Sequence, residues 1–241
     1  MHGASRTNVA VCFAVLIFAC GGCNNHAKPG EPPSTGNFDV QAGIAKMVAN
    51  GLSSNVSLDG TVAVNGVSTA FSGSGTFTRP PATSTTFSGT AASSQTTTVS
   101  GSITAAGQTS PYSTSVTDYY ASSDSAFLGE VSAGEYDVAQ APISFPTMVV
   151  AGSSGTLGTL SRYTSSTMSV SLGTVQVSYS ALATGDPGSP LGVAVTTKIF
   201  DTQDTLIETD VTNYLVTSSN SISLSGASAQ NQSGMLAITA Q

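Results

Sequence analysis

The chain has 241 residues, of which only 8 % are charged, and carries six Lys or Arg against thirteen acids for a net charge of −7. Soluble domains average about 25 % charged residues, so the polar surface here must come from Ser, Thr, Asn and Gln. So few, scattered cations exclude nucleic acid as a partner, since neutralising phosphate needs clustered Lys and Arg, and they leave no basic patch for an anionic membrane face. A mean hydropathy of +0.16 with many β-branched residues excludes a disordered chain and implies a real core in residues 37–241.

The N-terminus comes first. Met1 to Asn8 holds Arg6 and no acid, and Val9 to Ala19 is an unbroken apolar run. A transmembrane helix needs about 20 apolar residues, so this run is too short to span and reads as a secretory signal peptide over 1–19. Ile17-Phe18-Ala19-Cys20 resembles the lipobox of bacterial lipoprotein precursors: Ile17 and Ala19 fit, while Phe18 stands where a smaller residue is usual. The resemblance implies cleavage before Cys20, acylation of that cysteine with diacylglycerol and palmitate, and attachment to a membrane. Cys23, preceded by Gly21-Gly22, is the runner-up. Gly21, rather than Asp, follows Cys20, which by the same resemblance implies the outer membrane. Stable tethering takes at least two acyl chains, a requirement the triacylated cysteine of this class satisfies. No cysteine follows residue 23, so the exported part has no disulfide framework.

Residues 20–36 form a Pro/Gly/Asn-rich linker without apolar period. The next stretch is the one expected helix, near 39–51. Val40, Ile44, Met47, Val48 and Leu52 recur at helical spacing, Asn37 or Asp39 can cap the start, and Asn50-Gly51 suits the end. Its apolar stripe reads as packing over an open end or face of a sheet.

From Asn55 the period switches to two. Val56 to Leu58 and Thr61 to Val64 lead into the hairpin signal Asn65-Gly66, and Val67 to Phe71 returns. A related unit recurs: Gly60, Val62, Gly66, Phe71 and Ser72 correspond to Gly101, Ile103, Gly107, Tyr112 and Ser113. Further strands are predicted over 83–91, 97–105, 109–119, 156–163, 167–172, 174–182, 192–200, 206–216, 222–228 and 235–240. Residues 121–146 read as the longest irregular stretch and 186–190 as a loop. With almost no helix for crossovers, the fold class is all-β, an antiparallel meander. It forms a β-sandwich or a curved half-barrel closed by the helix; a parallel β-helix lacks the repeat it would need.

Chemistry is sparse. The two histidines are His2 and His26, so residues 37–241 contain none. That excludes a Ser-His-Asp triad, a Cys-His pair and a His/Cys zinc site there. Neither Lys46 nor Lys198 sits in a Ser-x-x-Lys context. Carboxylate pairs remain for glycosidic chemistry: Glu135 with Asp137, and Glu208 with Asp210, the latter near Asp201 and Asp204. The plainer reading places these acids on a solvated strand face or edge; a weak calcium site is a further reading, although Asp201-Thr-Gln-Asp204 lacks an EF-hand's ligand order. Gly73-Ser-Gly75 and the glycines from Gly152 to Gly158 are turn glycines rather than phosphate loops. Tyr119, Tyr120, Tyr136 and Tyr163 are the aromatics expected to reach a surface or pocket.

The expectation is an outer-membrane, lipid-anchored, non-enzymatic binding or structural module of the cell envelope. It names no catalytic residue, cofactor or metal, and Cys20 as the lipidation site. A glycan or an envelope protein is the expected partner. The alternative is a periplasmic carrier of a lipid or other hydrophobic ligand in a half-barrel. A carboxylate-based hydrolase is the third reading.

Overall fold

The computed structural model describes residues 36–64, 67–185 and 188–241. The signal segment, Cys20, Cys23, the linker to residue 35, Asn65-Gly66 and Asp186-Pro187 lie outside the described residues. Helix α1 (Val40–Asn50) is followed by β1 (Leu52–Val64), β2 (Val67–Arg79), β3 (Thr83–Phe87), β4 (Thr90–Ala105), β5 (Gln108–Ala121), β6 (Phe127–Ser132) and β7 (Glu135–Ile143). Then come β8 (Ser154–Tyr163), β9 (Ser171–Ala183), β10 (Leu191–Phe200), β11 (Leu206–Val216), β12 (Ile222–Asn231) and β13 (Gly234–Ala240).

Each strand pairs antiparallel with its neighbour in sequence, except β2 with β3, and β1 also pairs with β13, Leu58 facing Ile238. The decisive pairing is β2 with β4, from Phe71 opposite Ala105 to Thr78 opposite Thr98. It shuts the sheet into a closed barrel of 12 strands. This corrects the expected sandwich or half-barrel. Either of those leaves open edges with unpaired backbone groups, and closure removes them. β3 continues β2 past the kink at Pro80-Pro81 and stays on the same edge of β4. Residues 83–91 are therefore not one strand, because they turn at Ser88 and Gly89, both at positive φ as a tight hairpin requires.

Two more expectations need correction. Residues 121–146 are not irregular but contain β6 and β7, whose inward acids interrupt the apolar alternation that marks a strand. The expected strand 167–172 is largely a turn, and β9 starts at Ser171 and runs through Gly173.

Helix α1 forms where the apolar spacing placed it. The Asp39 carboxylate caps it, accepting from the Ala42 amide at 2.9 Å, and Gly51 ends it at φ 76°. Val40, Ile44, Met47 and Val48 join one core with inward residues from around the barrel, among them Val56, Leu58, Phe77, Val116, Leu160, Val193 and Ile238. α1 thereby closes the end of the barrel where the chain comes in, termed here the helix end. The β1–β2, β4–β5, β6–β7, β8–β9, β10–β11 and β12–β13 turns lie at the other, the turn end.

Candidate functional site

Because strand residues alternate sides, the register decides what each polar residue faces. On β1, β2, β4 and β5 the inward positions are mostly apolar or glycine, with Arg79, Gln95, Thr97 and Asp118 buried among them, and the outward ones are mostly Ser or Thr. Ser72, Ser74, Thr78, Ser100, Ser102, Ser113 and Ser115 are exposed on adjoining strands. Neighbouring hydroxyls bond across strands, Thr96 to Thr117 and Thr104 to Thr109, each at 2.8 Å. This wall is the inverse of a membrane-spanning barrel, whose outer band is apolar.

Inside, charge collects in two places. Under α1, Arg79 donates to Gln95, Asp118 and Tyr120, and all four side chains are buried. Gln95 in turn donates through Nε2 to the Met47 carbonyl at 3.1 Å and the Pro80 carbonyl at 2.9 Å, which fixes the helix C-terminus to the barrel. Burial raises the Asp118 carboxyl, a rise that Arg79 opposes.

The second cluster adjoins the first, Glu130 pairing across strands with Asp118, and extends toward the turn end. Arg162 donates through Nη2 to Glu135 at 2.7 Å, and its Nε lies 3.7 Å from Asp137. Asp137 pairs across strands with both Glu130 and Arg162. Opposite them, Asp210 faces Glu208 two residues earlier on β11, and Glu208 accepts from Asn231 at 3.1 Å. Burial is the main cause that lifts four of these acids: Asp137 to about 7, Glu208 above its ordinary value, Glu130 and Asp210 well above theirs. Neighbouring carboxyls push Glu130, Asp137 and Asp210 further up. Both carboxyl oxygens of Asp210 lack a donor. The neighbouring Glu208 carboxyl adds to the rise at Asp210, which favours the protonated form of Asp210.

The acids the sequence singled out are thus brought together, but not where they were expected. Glu135, Asp137, Glu208 and Asp210 face the lumen rather than a solvated strand face or edge. An even spacing puts residues on one face and is silent on which face that is. Asp201 and Asp204 stay outside the cluster in the exposed β10–β11 turn, where Asp201 accepts from the Gln203 and Thr205 amides at 2.8 and 2.9 Å. Among the described residues no group of three or more His, Cys, Asp or Glu converges as a metal site.

Arg79, Gln95, Asp118 and Arg162 were not singled out from the sequence. One signal was available: Asp118 lies between Val116 and Tyr120 on a period-two apolar face, as Arg79 follows Phe77.

The tyrosines divide. Tyr120 points inward onto Arg79, whereas Tyr119 and Tyr136 face outward. There Phe87, at the tip of the β3–β4 hairpin, stacks on Tyr119 at 4.3 Å and leans on Tyr136 at 5.1 Å. The tip folds back over the outer wall, and Ser88 bonds Tyr136 at 2.8 Å. Gly129 makes this possible, since a Cβ there would lie 2.8 Å from the Phe87 ring. Tyr163 pairs with Tyr136 across strands, also outward.

Two spaces adjoin these groups. An apolar gap of about 20 Å³ lies beneath α1, between Ile44, Tyr120, Phe127, Ile143, Phe145 and Val177. An open groove of about 370 Å³ runs along Leu206 to Thr209 and Gln230 to Gln232, with Glu208 at its wall. No family model, curated protein or solved structure matches this chain.

Proposed function

We propose that this chain is a lipid-anchored, non-enzymatic protein of the bacterial outer membrane. Its barrel serves as a binding or structural module of the envelope, and the hydroxyl-rich wall is the contact surface. The observation that carries this reading is the partition of polar groups. Six carboxyls (Asp118, Glu130, Glu135, Asp137, Glu208 and Asp210) are drawn into the lumen, which leaves an outer wall of nearly uncharged hydroxyls. Such a wall exchanges hydrogen bonds readily with the hydroxyls of a neutral glycan and repels neither anionic nor cationic polymers.

The competing readings have less support. A gap of about 20 Å³ has room for about one water and none for an acyl chain. That weighs against a carrier built on the space beneath α1. A carboxylate hydrolase needs acids that touch substrate, and Glu130, Asp137 and Asp210 are 3 %, 1 % and 0 % exposed.

The test uses acylated full chain in vesicles, challenged with purified envelope polysaccharide and cell-wall glycan. Retention of glycan that is lost on replacing Ser74, Ser100, Ser102 and Ser113 together by Glu supports the wall as the contact. Retention that survives the replacement rejects it, and so does no retention at all.

A further inference from the structure

The way the chain comes into the barrel carries a second inference, which rests on the lipid-anchored reading. Phe38, just after the linker, pairs with Val149 in an isolated antiparallel bridge, with amide-to-carbonyl bonds of 3.0 and 2.9 Å. Phe38 and Val149 are buried, at 3 % and 0 %. The residues on either side of Val149 point the other way: Met148 is 64 % exposed and Val150 41 %. Residues 152 and 153 exchange backbone bonds with Ala181, whose neighbour Leu182 is 64 % exposed. Three large apolar side chains therefore stand in water around the point where the N-terminal chain arrives. The segment 144–153 contains no charged residue.

Single exposed apolar residues are ordinary on a protein surface, and Val67, Met168, Val170, Leu206 and Met235 are exposed near the turn end; what sets Met148, Val150 and Leu182 apart is that the N-terminal chain arrives among them. In the lipidated chain, sixteen or so linker residues separate the acylated cysteine from Phe38, a reach of roughly 50 Å when extended. The geometry points to a second membrane contact: Met148, Val150 and Leu182 form an apolar foot that seats the helix end of the barrel on the lipid surface holding the anchor. The turn end, with the groove beside Glu208, then faces away from the membrane. Bringing apolar side chains out of water at a surface already held close by the anchor adds a second attachment to the first.

The test is carried out on the full chain, expressed with its leader so that it is processed and acylated. Whichever of Cys20 and Cys23 escapes acylation is replaced by Ser. A single reporter cysteine, Met148→Cys, Leu182→Cys or Val67→Cys, carries an environment-sensitive fluorophore. Val67 is the control, being 66 % exposed at the turn end. The labelled proteins are reconstituted in vesicles of phosphatidylethanolamine and phosphatidylglycerol, with and without brominated acyl chains. The foot predicts blue-shifted emission and bromolipid quenching at positions 148 and 182, with neither at 67. Val150→Cys repeats the measurement should either variant fold poorly. Proteins that float with the vesicles but show no shift or quenching at 148 and 182 overturn the foot and leave the anchor intact. Quenching at 67 instead overturns it by reversing the orientation. A wild-type chain that does not float at all removes the anchored reading and the foot with it.

Discussion

Gln95 accepts a hydrogen bond from Arg79 Nε at 2.6 Å and, through the other end of the same amide, donates to the last carbonyls of helix α1. One side chain thus joins the charged knot inside the barrel to the element that closes it. Buried donors and acceptors that lose a partner cost about 1–3 kcal/mol each, because water cannot replace the bond. Gln95→Leu is expected to lower stability by about 2–4 kcal/mol. Hydrogen exchange should show α1 amides opening more readily than those of β10 and β11. An unchanged denaturation midpoint would mean that apolar packing alone holds the helix.

The Arg79–Asp118 pair makes a sharper test. Both side chains are almost fully buried, at 1 % and 5 % exposure. Removing either leaves the other charge uncompensated, and breaking a buried pair costs about 3–5 kcal/mol. Arg79→Met and Asp118→Leu should each destabilise on that scale. The double variant should cost clearly less than their sum, since it strands no charge. Chemical denaturation of the four proteins closes the cycle, and strict additivity would show that the pair does not interact.

The acids of the lumen set a pH dependence of definite sign. Burial holds Asp137 up at about 7 against an ordinary 3.8, whereas in the unfolded chain it ionises near 4. Between those values the folded state keeps a proton that the unfolded state has lost. Stability is therefore fully present below about pH 4 and falls as pH rises through about 7. Glu130 and Asp210, raised in the same direction by burial, add to the loss with the same sign. Urea midpoints should be higher at pH 5 than at pH 8, and Asp137→Asn should flatten that difference. A midpoint that rises with pH would contradict the account.

Phe87 is only 5 % exposed although it sits on the outer wall. Phe87→Ala removes the ring that stacks on Tyr119 and Tyr136 and is expected to cost about 3 kcal/mol or slightly less, the scale of burying such a ring. The hairpin tip at 83–94 should then become the first site of limited proteolysis, with β10 to β13 still protected. Equal protection of the tip in variant and parent would show that β4–β5 pairing, not the ring, holds it.

Much of the architecture was legible because it is local. The helix followed from apolar residues at 3.6 spacing and an Asp39 cap, both set within a single turn of chain. The repeated units around Gly60 and Gly101 correspond to two long hairpins, β1–β2 and β4–β5. In each the inward glycine faces the aromatic of the return strand, Gly60 opposite Phe71 and Gly101 opposite Tyr112. A Cβ at Gly60 would lie 2.6 Å from the Phe71 ring, and one at Gly101 would lie 2.6 Å from the Gly75 Cα, so both glycines sit where a neighbour comes too close for a side chain. β6 and β7 escaped notice because Glu130 and Asp137 occupy positions where a strand normally turns an apolar residue inward.

What the sequence by itself determined is the all-β antiparallel character, the capped helix and the absence of histidine and cysteine from residues 37–241. These rest on composition, on spacing and on neighbours a few residues apart. Only the tertiary structure decided that the sheet closes on itself, because that depends on β2 meeting β4 across a prolyl kink. It also decided that Glu135, Asp137, Glu208 and Asp210 share one buried cluster with Glu130 and Arg162. Alternation tells which residues lie on the same face of a strand; which face becomes the inside is settled when the barrel shuts, and the acids are buried with it.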